Sequence, residues 1–184
     1  MSTVDTPHIT LRTREIAFAR GFVNPQQLRV AAGLTAWTSA DTYMDGTNLR
    51  LHISILSRIM GALSCSLDDL VAIGPPDRIP PLNLGTPREW HKENTPATIT
   101  IHVATRAQSM GMSARDLAQR SGNQMGPISR IWLGDWDVLD CRNTLPRLLT
   151  VLCCTKLSDL ITIFPSYGPQ EVRQEAQNTN MAVA

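Results

Sequence analysis

Residues 113 to 134 read Ser-Ala-Arg-Asp-Leu-Ala-Gln-Arg-Ser-Gly-Asn-Gln-Met-Gly-Pro-Ile-Ser-Arg-Ile-Trp-Leu-Gly. This spacing predicts two short helices joined by a turn at Ser121-Gly122-Asn123, a helix-turn-helix. Leu117 and Ala118 supply the apolar face of the first helix, and Gly122 permits the tight turn. Ile128, Ile131 and Trp132 form an inward stripe on the second helix at i, i+3, i+4. Gly126, Ser129, Arg130 and Leu133 recur at i, i+3, i+4, i+7 on the opposite, outward face. In a DNA-reading motif that face enters the major groove.

The stretch resembles the phage-repressor/Cro-type family of helix-turn-helix domains. That family's pattern is met by Arg106, Gly111, Ser113, Leu117, Ala118, Ser121, Gly122, Ile128, Ser129, Ile131 and Gly134. Downstream, Leu145, Leu148, Leu149 and Leu152 give the apolar stripe of a fourth helix, and Thr155 to Ile161 are expected to form a closing one. The resemblance implies an all-helical fold.

The same plan recurs upstream. Cys65 and Cys154, Gly33 and Gly122, and Leu28 and Leu117 are each separated by 89 positions, and Gly46 and Gly134 by 88. A constant shift across four landmarks implies two copies of one domain. In the first copy Asn24-Pro25 is a helix start, with Asn as cap and Pro at the first helical position. Its second helix is expected from about Thr35 to Met44. Ile53, Leu56, Ile59, Met60 and Leu63 stripe a fourth helix, and Ser66 caps Leu67-Asp68-Asp69-Leu70. The expected architecture is therefore all-α: two tandem five-helix repressor-like domains and no strand. The boundaries are an N-terminal arm at 1–12, a divergent first domain at 13–73, a linker at 74–98, a second domain at 99–165 and a polar tail at 166–184. The linker is rich in proline from Gly74 to Pro81, with more at Pro87 and Pro96, so it reads as an extended connector. Trp90 and His91 interrupt its polarity, as a docking point or a partner contact.

A chain of 184 residues holds two such units near the lower size limit for independent cores, which mutual packing or oligomerisation would relieve. No apolar run suits a membrane span and Met1 to Pro7 lacks a signal pattern, so a cytoplasmic protein without a membrane is expected. Cys65, Cys141, Cys153 and Cys154 lack metal-ligand spacing and read as packing residues, with a redox-responsive thiol pair as the alternative. No cofactor or metal is implied. His8, His52, His91 and His102 stand beside no nucleophile and no phosphate-binding glycine loop occurs, which argues against an enzyme. The formal net charge is only +1. Duplex DNA is bound largely by neutralising phosphates, so such a chain must gather its arginines on one face or bind weakly.

By position in the family, Gln124, Met125, Gly126, Ser129 and Arg130 are the second copy's candidate DNA-contacting residues, with Ser113 and Arg115 placed for phosphates. Arg130 suits bidentate bonding to guanine and Gln124 suits helix capping or adenine. The first copy's candidates are Gln26, Gln27, Trp37, Thr38, Thr42, Asn48 and Arg50. Its second helix is expected to turn Ala40, Tyr43 and Met44 inward, and Trp37, Thr38, Asp41, Thr42 and Asp45 outward. Trp37 and Tyr43 also suit a protein interface or the core. Two departures from the family stand out. Trp132 occupies the place of a glutamate that usually pairs with the first-helix arginine, so Arg106 is expected to stack on the indole. The loop after the second helix reads Asp135-Trp136-Asp137-Val138-Leu139-Asp140, whose carboxylates repel DNA.

The resemblance implies a sequence-specific, double-stranded-DNA-binding transcriptional regulator, its second copy the better reader, forming a homo-oligomer or dimer. The alternative is a protein-interaction module, an antiactivator or adaptor that keeps the fold and grips another regulatory protein. A mixed reading has the second copy bind DNA while the first dimerises or receives a signal.

Overall fold

The computed structural model describes residues 7–35, 37–46, 50–84 and 97–164. The linker residues Pro87, Trp90, His91 and Pro96, the tail and Asn48 lie outside them. The first copy runs β1 (Ile9–Leu11), α1 (Thr13–Ala19), α2 (Pro25–Ala31), α3 (Trp37–Met44), β2 (Arg50–His52), α4 (Ile53–Leu63), α5 (Leu67–Leu70) and β3 (Val71–Ile73). A 3-10 turn at Pro76–Arg78 opens the connector. The second copy follows the same order: β4 (Thr98–Ile101), α6 (Val103–Ser109), α7 (Ala114–Ser121), α8 (Met125–Trp132), β5 (Val138–Asp140), α9 (Thr144–Val151), a 3-10 turn at Leu157–Asp159 in place of α5, and β6 (Ile161–Phe164).

The all-α expectation is overturned. The six strands pair into three two-stranded antiparallel sheets, so the fold mixes helices and strands. Within each copy the first strand pairs with the last: β1 with β3, Thr10 opposite Ala72, and β4 with β6, Thr100 opposite Thr162. Each ladder runs on into the next helix, through Arg12 N–H to the Leu70 carbonyl at 2.9 Å and His102 N–H to that of Leu160 at 2.7 Å. The closing helix expected over Thr155 to Ile161 is instead a 3-10 turn followed by a strand. Thr98-Ile99-Thr100-Ile101 and Ile161-Thr162-Ile163-Phe164 alternate at period two with β-branched residues, the pattern of a half-buried strand. That signal is present in the sequence but only four residues long.

The helices follow the expected stripes. Asn24 caps α2, its side-chain oxygen accepting from Gln27 N–H at 3.0 Å with Pro25 at the first position, and Ser66 caps α5 by accepting from Asp69 N–H at 3.1 Å. Ile53, Leu56, Ile59, Met60 and Leu63 on α4 are buried, as are their counterparts Leu145, Leu148, Leu149 and Leu152. The repeat reaches the backbone. The turn glycines Gly33 and Gly122 have φ of +60° and +62°, and Ser64 and Cys153, 89 positions apart at the ends of α4 and α9, have φ of +49° and +51°.

The third sheet joins the copies. β2 pairs with β5 in the register Arg50 to Asp140, Leu51 to Leu139 and His52 to Val138. The shift of 88 that relates Gly46 to Gly134 also makes Leu51 equivalent to Leu139, so a strand here pairs with its own copy about a local twofold. A second self-equivalent contact lies elsewhere on the joint, where one inserted residue makes the shift 90, the shift that also relates Thr10 to Thr100, and so matches Asp68 with Ser158. Asp68, in α5, accepts from Ser158 N–H at 3.0 Å and from Ser158 Oγ at 2.5 Å. The buried apolar side chains of both copies form one cluster, with Leu51 and Leu139 in it. Two units too small for comfortable separate cores thus share one, because joining them buries apolar surface that each would otherwise expose.

Candidate nucleic-acid interface

The helix-turn-helix at 113–134 forms as its sequence demands. Ser113 caps α7: its hydroxyl accepts from Asp116 N–H at 3.2 Å and donates to the Asp116 carboxylate at 2.5 Å, while Ser113 N–H donates to that carboxylate at 2.9 Å. These bonds stabilise the ionised form and hold the Asp116 carboxyl below its ordinary range. Leu117, Ala118 and Ser121 face the core, with Ser121 Oγ donating to the Leu117 carbonyl at 2.6 Å. Gly122 then takes the left-handed conformation that ends the helix, which an L side chain adopts only at a cost. Arg147 reaches over from α9 and donates to the Gly122 carbonyl at 2.9 Å. In the first copy Arg58, 89 positions earlier, donates to the Gly33 carbonyl at the same 2.9 Å.

On α8, Ile128 and Ile131 are buried and Trp132 is half-buried against the core, as the stripe predicts. Gln124, Met125, Gly126 and Arg130 are exposed and Ser129 is half-buried. Gln124 stands at the cap position, but its side chain makes no capping bond. Leu133, 83% exposed, ends this face, and Met125 is 45% exposed. Arg115 is exposed on the first turn of α7, next to a Ser113 hydroxyl already engaged by Asp116.

Arg130 is tied to acid. Its Nε donates to Asp135 Oδ2 at 2.7 Å and its Nη2 lies 3.8 Å from Asp137 Oδ2. The pairing raises the guanidinium's already high pKa and lowers that of Asp135. The stretch read as an acidic loop is loop as far as Asp137, with Asp135 and Asp137 exposed, and strand beyond it. Trp136 is buried, Leu139 is fully buried, and residues 138–140 are the strand β5 that joins the copies. A groove of about 490 Å³ lies between α8, β5 and Thr144, the first residue of α9, with Ile131 and Trp136 among its apolar lining and Arg130, Asp135, Asp137 and Asp140 among its polar one. Arg106 does not need the indole expected of it: its Nε donates to the Leu152 carbonyl at 3.3 Å. Arg20 makes the matching bond to the Leu63 carbonyl at 3.1 Å, so each copy tethers its first helix to the end of its fourth.

The first copy presents a different surface. Ala40, Tyr43 and Met44 are buried, so Tyr43 is core rather than interface. Its hydroxyl accepts from His52 N–H at 2.8 Å, and burial pushes its pKa up to about 12. Helix α3 is described over Trp37–Met44. The side chains of Trp37 and Thr38 lie outside the described set. Thr42 is half-buried, and the exposed Asp45 pairs with Arg14 at 2.5 Å. Gln26 accepts from Arg29 Nε at 2.9 Å, and Gln27 accepts from Val23 N–H at 2.7 Å. Arg50 is exposed on β2, opposite Asp140.

Cys65, Cys141 and Cys154 are buried and Cys153 is exposed, all with free thiols. Burial pushes the first two up to about 12, which suits packing rather than reactive groups. Among the described residues no cluster of His, Cys, Asp and Glu could hold a metal ion, and no helix is long and apolar enough to cross a membrane. Sequence reasoning missed Asp68 and Ser158, whose pairing needs the two copies face to face, and Arg58 and Arg147, which the constant shift of 89 relates. Comparison with protein-family models, with curated proteins and with solved structures finds no match to this chain.

Proposed function

We propose that the chain is a sequence-specific DNA-binding regulator that carries in one polypeptide the twofold arrangement repressors otherwise make by dimerising. The observation that carries this reading is the β2–β5 pairing about Leu51 and Leu139, next to a helix-turn-helix turn built alike in both copies. A twofold rotation leaves the component along its axis unchanged, so whatever tilt one recognition helix has toward that axis the other shares. Both α3 and α8 are followed within a few residues by the strand on the axis, so both flank it. Two half-sites read by such a pair lie about one helical turn, roughly 34 Å, apart on the duplex.

In this reading α8 is the principal reader, with Arg130 on guanine, Gln124, Met125, Gly126 and Ser129 at the groove, and Arg115 on phosphate. The first copy, with Asp41 and Asp45 on its outer face, contributes position more than sequence. The test is recovery of genomic fragments by the purified protein at near-physiological salt. A shared motif is expected, lost with Arg130→Ala, and Arg115→Ala is expected to flatten the salt dependence. Unchanged binding in both variants sinks the reading.

A second reading rests on Leu133 and Met125, which stand exposed beside an arginine already neutralised by carboxylates. That surface suits a protein partner, making the chain an adaptor or antiactivator. Co-purification with another regulator and no salt-dependent affinity for duplex is the result that favours it.

A further inference from the structure

Strand β4 pairs with β6 and with no other strand among the described residues, so one of its edges is open. The register fixes which backbone groups that edge presents. His102 N–H donates to the Leu160 carbonyl at 2.7 Å, and bonded and non-bonded pairs alternate along an antiparallel ladder. Thr100 with Thr162 is therefore a bonded pair, whereas Ile99 with Ile163 and Ile101 with Ile161 are not. The N–H and C=O groups of Ile99 and Ile101 consequently point away from β6, out of the open edge. Among the described residues no other backbone group takes them. Residues 97–101, Ala-Thr-Ile-Thr-Ile, carry no charge, and Thr98, Ile99 and Thr100 are exposed, Ile99 by 40%. The equivalent strand of the first copy is better covered. Ile9, Thr10 and Leu11 are all half-buried, and the connector returns past the end of β1, where the Pro80 carbonyl accepts from the buried Arg12 at 3.0 Å and Leu82 and Leu84 pack on the core. Strand β4 has neither the charge nor the proline by which proteins keep an open edge from pairing.

We propose that β4 is a self-association edge, to which a second copy of this chain adds its own β4, antiparallel and centred on Thr100. Ile99-Thr100-Ile101 reads the same in both directions, so a twofold at Thr100 sets each Ile99 opposite the other chain's Ile101. In that register the outward N–H and C=O of each Ile99 meet those of the opposing Ile101, which makes four backbone bonds. Ile99 shares the core face with the buried Ile163, so the opposing Ile101 covers its exposed part. On the other face the two Thr100 side chains meet, a favourable cross-strand pair. The occupant is a second copy because the edge is complementary to itself and offers no charge for an unlike partner to match. The same device already operates inside the chain, where Leu51 of β2 meets its own equivalent Leu139 of β5. Because β4 belongs to a different sheet, the pairing leaves that joint intact and closes on itself as a twofold dimer. Four bonds and a pair of isoleucine contacts make a small interface, so a reversible dimer dissociating at about 10–100 μM is expected.

The experiment is sedimentation equilibrium of the full chain at low salt, over concentrations from about 5 to 500 μM that bracket this range. The average mass is expected to rise from one chain toward two. Ile99→Pro removes an N–H that β6 does not use, at an edge position where proline is tolerated. Thr100→Lys and Thr100→Glu each set like charges directly opposite one another on an exposed face, and matched thermal unfolding verifies that the fold is kept. Each of the three variants alone should stay monomeric throughout. An equimolar mixture of Thr100→Lys and Thr100→Glu chains should recover the dimer, because in this register residue 100 faces itself. A parent chain that is still monomeric at the highest concentration overturns the proposal. So does a dimer that survives Ile99→Pro or Thr100→Lys, which would place the contact on another surface. A mixture that fails to pair where the parent pairs overturns the Thr100-centred register.

Discussion

Arg58 in the first copy and Arg147 in the second donate to equivalent turn carbonyls at the same distance, yet the two helices those turns introduce face solvent with different chemistry. Helix α8 offers Met125, Gly126, Ser129 and Arg130, whereas the outer side of α3 carries Asp41 and the helix is followed by Asp45. The frame is held in common because each copy needs the same turn, the same buried stripe and the same joint. The outer faces differ, and the buried stripe that each helix packs into the core does not dictate them. What the two copies share therefore reports on folding, and what they do not share lies on the outer faces of these two helices.

The largest break in that comparison is at the joint. Leu51→Ala and Leu139→Ala each remove a side chain buried where the copies meet, and each is expected to cost about 2–5 kcal/mol. Because the core is continuous, denaturant titration should show one transition displaced as a whole in both variants. Two separate transitions, with only one displaced, would mean independent cores. Next in size come Arg58→Ala and Arg147→Ala. Each removes the bond to a turn carbonyl, at exposed arginines, and about 1 kcal/mol is expected for either. Unequal losses in chemical denaturation would show that the second copy's turn is held by something the first lacks.

Smaller still is Cys153→Gly. Cys153 sits exposed at φ +51°, where a Cβ is unfavourable, so glycine should stabilise by about 0.5 kcal/mol after its own entropic cost. The same change at the buried Ser64 should gain less, and a larger gain there would break the equivalence of the two helix ends. The smallest effect separates the caps. Asn24 caps α2 with a group that does not titrate, whereas α7 relies in part on the Asp116 carboxylate. Because the Asp116 pKa is lowered on folding, its contribution is present above the ordinary value of 3.8 and is lost as pH falls through the lower folded one. Acidification from about pH 5 to pH 2 should lower the amide protection factors in the first turn of α7 more than in that of α2, as NMR can follow.

Much of this was legible in the chain. The helix-turn-helix at 113–134, the caps at Asn24 and Ser66, and the leucine stripe of α9 rest on contacts within a turn or two of helix, which local spacing reveals. The constant shift exposed the repeat even where the first copy carries other residues. The strands were not legible in the same way. Each is three or four residues long, and its partner lies some sixty residues or more away, so period-two alternation never accumulates into a signal. Asp135 and Asp137 could be read as acidic but not as ligands of Arg130, because that requires the turn at Gly134 and the burial of Trp136.

The sequence by itself determined that this is a duplicated chain with a helix-turn-helix in each half, since local periodicity and a constant shift are properties of order along the chain. Only the tertiary structure decided that the halves are one body, with Leu51 set against its own counterpart Leu139 and Asp68 against Ser158. It also decided that Arg130 is held by acids on the strand side of its helix. Those relations depend on which surfaces meet after folding, and burial, not sequence distance, selects them.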